Sequence, residues 1–159
     1  MKILLPIDDS ESSRHALRTL IAQVRTEAAE VRVLNVVEQI SGYISADLIP
    51  HRVPYVAEIE RERREEAGRI VNSTVETLRK AGFRVSGDVV EGDPKSEILD
   101  ESAKWGADLI VIGSHGWKGL NRFLLGSVSE AVARHATCSV EIVRLPQREK
   151  RANPRRSRR

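Results

Sequence analysis

Cysteine is all but absent from this chain: Cys138 is the only one in 159 residues. A lone thiol excludes an intrachain disulfide and any cysteine-rich metal site. At the start of an apolar strand it reads as a small buried hydrophobe rather than a nucleophile. No apolar run reaches transmembrane length, and the opening Met1-Lys2-Ile3-Leu4-Leu5-Pro6 is broken by proline and Asp8 too early for a signal peptide. Cytoplasmic residence, with no membrane partner, is the default expectation. The four histidines, His15, His51, His115 and His135, are too scattered for metal-ligand spacing, and no nucleophile–histidine–acid arrangement is detectable. The body also lacks internal repeats. What is present is the balance of a soluble globular protein, 40% hydrophobic and 31% charged, at a length that suits one domain and one substantial core.

The net charge of +3 is unevenly held. Residues 147–159 carry seven Lys or Arg against Glu149, a tail of +6, which leaves the body at −3. An acidic body with a basic tail is not a nucleic-acid-binding domain. The tail, with Pro154 and no apolar period, reads as disordered and solvated, so residues 1–146 are expected to form the single domain. Contact of the tail with nucleic acid or an anionic surface is the less favoured alternative.

Strand-like and helix-like segments alternate along the body, which implies parallel strands joined by crossover helices. Residues 2–7 read as a strand buried on both faces. Ala16, Leu17, Leu20, Ile21 and Val24 follow at helical spacing, with Ser10 or Ser12 as the cap. Val31 to Val37 is a second strand. Residues 38–54 show no period and are expected to be a long connection, before a charged amphipathic helix from about Tyr55 to Ala81. Phe83 to Val90 is a third strand, Pro94 to Trp105 a helix, Leu109 to Ile112 a fourth strand, Val128 to His135 a helix and Val140 to Val143 a fifth strand. The expectation is an α/β fold: an open, doubly wound, five-stranded parallel sheet with helices on both faces.

The chemistry concentrates after the fourth strand. Ile112 leads into Gly113-Ser114-His115-Gly116, and Gly126-Ser127 follows after nine further residues. Glycines admit close approach of backbone N–H groups to an anion, and a helix N-terminus adds unpaired donors and partial positive charge. Ser127 reads as N-cap and phosphate donor together, followed by Val128 and the further hydroxyl of Ser129. The spacing is neither a Walker loop nor a dinucleotide fingerprint. Three ordinary turn glycines are the plainer alternative.

This loop, together with Pro6-Ile7-Asp8-Asp9-Ser10 at the end of the first strand, resembles the universal stress protein family over residues 2 to about 145. The Gly113-x2-Gly116-x9-Gly126-Ser127 pattern matches the signature of those members that bind ATP. The resemblance implies strand order 3-2-1-4-5, an adenine nucleotide alpha hydrolase-like fold, and a ligand at the switch point between strands 1 and 4. It implies ATP as the ligand, alone or with magnesium or manganese, and a stress-linked sensor or regulator with little or no hydrolysis rather than an enzyme. Asp8 would hold ribose or a divalent ion; helix capping is the competing role for it. Val36 would offer its backbone to adenine, or is simply a core valine. Lys118 and Arg122 can add charge near the outer phosphates, or are exposed insert residues like Trp117. A nucleotide-independent interaction protein and a slow ATPase are the alternatives. The glycine-rich loop that pyrophosphatase relatives need after strand 1 is absent, since that place reads Asp8-Asp9-Ser10-Glu11-Ser12-Ser13.

The resemblance also implies a homodimer through the edge of strand 5, residues 138–144. Two departures bear on it: Ser139 stands where proline is common, and Glu141 where an aliphatic residue is usual. Alternation puts Ser139, Glu141 and Val143 on one face and Val140 and Ile142 on the other.

Overall fold

A computed structural model of the chain describes residues 1–38, 53–115 and 125–146, with 53–56 as backbone alone. Gly116, Trp117, Lys118 and Arg122, the stretch 39–52 and the tail 147–159 lie outside the described residues.

Five strands form one sheet in the order β3-β2-β1-β4-β5. They are β1 (Lys2–Pro6), β2 (Glu30–Val37), β3 (Arg84–Glu91), β4 (Leu109–Gly113) and β5 (Ser139–Val143). Every pairing is parallel, as the alternation of strand and helix requires. The helices are α1 (Glu11–Gln23), α2 (Val53–Lys80), α3 (Pro94–Trp105) and α4 (Ser127–His135). Two of the expected limits move. Residues 53 and 54 belong to α2 rather than to the connection, and Gly113 is the last residue of β4 rather than the first of a loop.

Because parallel strands are covered on both faces, their side chains divide into two cores. Ile3, Leu5, Val31, Val33, Val111 and Val143 meet Ala16 and Leu20 of α1 and Val71, Val75 and Leu78 of α2. Leu4, Leu34, Ile110 and Ile112 meet Ile98 of α3 and Val132 of α4, with Val140 and Ile142 joining them. The expected division of β5 is therefore what the packing uses.

The amino-terminal end of the sheet is closed by Trp105. Its ring lies 5.4 Å from Lys2 Nζ and 4.6 Å from Arg32 Cζ, and Arg32 pairs with Glu101 one turn back along α3. α3 itself has plain end signals: Asp93 accepts from the Ser96 amide, Pro94 opens the helix, and Gly106 closes it in the left-handed region.

Candidate functional site

The carboxyl end of the sheet is open, and Pro6 is the cause. In a parallel strand, alternate residues turn both backbone groups to the same side. Ile7 N donates to Leu34 O, and Lys2 O accepts from Asp108 N, so odd residues of β1 face β2 and even residues face β4. Pro6 therefore faces β4 and has no N–H to give it. The β1–β4 ladder stops after Ile3↔Leu109 and Leu4↔Ile110, whereas β1 and β2 pair from Lys2↔Glu30 to Pro6↔Leu34. A seam thus opens between β1 and β4, at the point where strand order reverses.

Two sets of unpaired backbone groups border this seam. β2 runs on to Val37, three residues or about 10 Å past its last rung with β1. Val36 has the same parity as Leu34, so its N–H and C=O face the side where β1 has ended. Its side chain lies against the α3/α4 core, as a plain core valine would. Across the seam, α4 starts at Ser127 with Gly126 as N-cap and no side-chain cap bond. Ser127 is therefore the first helical residue and not the cap, contrary to the expectation from sequence. The amides of Ser127, Val128 and Ser129 have no acceptor among the described residues, the first helical bond being Glu130 N to Gly126 O.

The amides of the β4–α4 loop itself are already engaged. Ser114 N donates to Val143 O at 2.9 Å, Gly126 N to Ser114 O at 2.8 Å, and His115 N to Ser12 Oγ at 3.3 Å. Ser129 Oγ, expected as a phosphate donor, is 2% exposed and donates inward to Ser114 O or Gly126 O. Ser114 Oγ lies 3.0 Å from His115 Nδ1. At 2% exposure that hydroxyl is not presented for attack on a substrate. Anion-binding capacity in the described part of the loop therefore sits at the first turn of α4.

Asp8 stands at the mouth of the seam, half-buried. Its Oδ1 accepts from Ser10 N at 3.1 Å and Ser10 Oγ at 2.6 Å, while its own N–H donates to Ser13 Oγ at 3.0 Å. Ser10 in turn caps α1 by accepting from Ser13 N. Capping of α1 thus falls to Ser10. Asp8 has one oxygen pinned and the other left for an incoming donor or cation. Asp9 is turned away, paired with Arg14 at 2.9 Å. No cluster of three or more acidic, histidine or cysteine side chains able to hold a metal occurs among the described residues. A divalent ion would find the Asp8 carboxylate and phosphate oxygens, and no further carboxylate from this loop.

A cavity of about 370 Å³ lies beside the seam, between α1 and α2, with Ile7, Asp8, Leu17, Ile70 and Thr74 among its walls. It is the larger concavity, but its polar groups are satisfied internally. Thr74 Oγ1 donates to Ile70 O, Thr77 Oγ1 to Ser73 O, and Arg14 and Arg69 pair with Asp9 and Glu66. Unpaired donors and acceptors mark the seam instead. Cys138 is half-buried, and burial pushes its thiol up from the ordinary value, with Asp108 adding to the effect against a backbone hydrogen bond. That keeps it protonated near neutrality, in line with its reading as a hydrophobe. No helix among the described residues is long and apolar enough to cross a membrane.

Sequence reasoning found Asp8, Val36 and the α4 start, but it missed Ser12 and the role of Pro6 in the seam. Ser12 gave no local signal, because its partners lie about a hundred residues away.

Comparison with known proteins agrees with this architecture. The profile of the universal stress protein family matches residues 1–144. Universal stress protein YxiE of Bacillus subtilis is 33% identical over 147 residues, covering 90% of this chain and 98% of its own. Among solved structures, protein MJ0577 of Methanocaldococcus jannaschii superimposes with a TM-score of 0.79 at 31% identity, covering 92% of this chain and 96% of that one. A universal stress protein family member from Arabidopsis thaliana, solved with AMP bound, shares the fold at TM-score 0.66 and 21% identity, covering 98% of each chain.

Proposed function

The chain belongs to the universal stress protein family, and from that premise we propose that it is an ATP-binding regulator of the stress response with little or no hydrolysis. In this reading residues 1–146 are the working domain, it acts as a homodimer, and it resides in the cytoplasm. The observation that carries the reading is the seam beyond Leu4. Its borders hold an unpaired backbone donor and acceptor at Val36, a free Asp8 oxygen, and three unpaired amides at α4. Those are the complements of adenine, ribose and phosphate, in that order across the sheet. The Arabidopsis fold relative that holds AMP supports an adenine nucleotide as the class. Magnesium or manganese would reach the phosphates beside Asp8, and Gly116 and Lys118 would complete the phosphate end.

Calorimetry on nucleotide-stripped protein with ATP, AMP and GTP is the test. ATP should bind and GTP should bind less well; no ATP binding at millimolar concentration would sink the proposal. Gly126→Val supplies the control. Its backbone, at φ −65° and ψ 151°, suits any residue. A Cβ there would nevertheless stand 3.3 Å from His115 Cα and 3.4 Å from Ser114 O, crowding the start of α4. The variant should stay folded and lose ATP.

A nucleotide-independent interaction protein is the second reading. It is favoured by Gly113 and Ser129, which have packing and hydrogen-bonding duties that need no ligand. Unchanged regulatory activity in Gly126→Val, with loss on removing residues 147–159, would select it.

A further inference from the structure

We propose that Ser12 is a positioning residue for the phosphate end of the site, acting as the abutment that holds the β4–α4 loop in its anion-binding geometry. The proposal rests on the nucleotide reading above. Ser12 occupies the second position of α1 and is 3% exposed. Its hydroxyl accepts the His115 amide at 3.3 Å. The contact is steric as well. A Cβ on Gly113 would lie 2.7 Å from Ser12 Oγ, 2.8 Å from its carbonyl carbon and 2.9 Å from its carbonyl oxygen. Two of those atoms are backbone and cannot swing aside, so only glycine ends β4 without displacing α1. Within the glycine motif, Gly113 therefore serves the approach of α1 and not the approach of phosphate.

The neighbouring bonds make this contact a junction between the two halves of the site. Ser10 Oγ, which donates to Asp8 Oδ1 at 2.6 Å, also lies 3.5 Å from His115 O. The main chain of His115 is thus gripped at its N–H by Ser12 and approached at its C=O by Ser10. From there the order passes through Ser114 O, which receives Gly126 N and Ser129 Oγ and so fixes the start of α4. With Ser12 in place, the three α4 amides are set relative to Asp8 before any ligand arrives. Without it, the loop must be ordered by the ligand, and that cost falls on phosphate binding alone.

The experiment compares wild type with Ser12→Ala and Ser12→Cys, titrating ATP and adenosine into each by calorimetry. Amide exchange at His115 is followed by NMR. Ser12→Cys keeps the volume and weakens the acceptor, so it serves if Ser12→Ala fails to fold. Loss of one neutral hydrogen bond corresponds to about threefold to tenfold weaker ATP binding. Adenosine, which lacks phosphate, should bind unchanged, and the His115 amide should exchange faster in both variants. Equal losses for ATP and adenosine would reduce Ser12 to a general structural residue and overturn the proposal. So would unaltered ATP binding with His115 protection intact. Wild type that binds neither ligand overturns the nucleotide reading, and the proposal with it.

Discussion

At the scale of single residues, two glycines with similar backbones have opposite duties. Gly87 in β3 lies under α2, where an added Cβ would stand 2.5 Å from Val71 Cγ1 and 2.8 Å from Val75 Cγ2. α2 reaches β3 only because nothing projects there. Gly87→Ala should therefore destabilise the fold by about 1–3 kcal/mol, the usual cost of an overpacked contact. Urea unfolding measures it, and an unchanged midpoint would refute the close packing. Gly113 is the same kind of residue at the other face of α1. Sequence made it legible as a glycine of importance but not as a strand residue packed on Ser12. Turn glycines and packing glycines look alike until the partner strand or helix is known.

At the scale of elements, the helices that were legible are those with local end signals. α3 runs from Pro94 to Trp105 as expected, because Asp93, Pro94 and Gly106 act within a few residues of one another. α4 shifted by one position because Gly126 serves as its cap, and a glycine cap leaves no side chain to recognise. α2 began earlier than its apolar period suggested, since its charged first half has no buried stripe to read. That helix also contains Gly68, which has nothing within 4 Å of an added Cβ. In a helix interior with open space, alanine restricts the unfolded chain and keeps every contact. Gly68→Ala should stabilise the protein by about 0.5–1 kcal/mol. A raised melting temperature would bear this out, and a lowered one would mean that α2 needs its glycine for another contact.

At the scale of the whole molecule, sheet order followed from alternation and from the family resemblance, whereas the seam did not. Its position depends on which side of β1 Pro6 faces, and that is fixed only when both neighbouring strands are in place. The outer edge of β5 is paired with no other strand among the described residues, and Val140 and Ile142 are half-buried. The expected homodimer would close this edge, with Glu141 on the α1 side and Arg144 exposed nearby as a counter-charge. Sedimentation at micromolar concentration should give twice the 17.8 kDa chain mass, and Ile142→Pro should halve it by removing a ladder donor. A wild-type species of single-chain mass refutes the dimer. Seen as a mechanical object, the sheet is two leaves, β3-β2-β1 and β4-β5, zipped together by two rungs at one end and left unzipped at the other. α1 braces the leaves from one face. A ligand bridging Val36 and the start of α4 would act as a staple across the open end, so its binding would stiffen the twist of one leaf against the other.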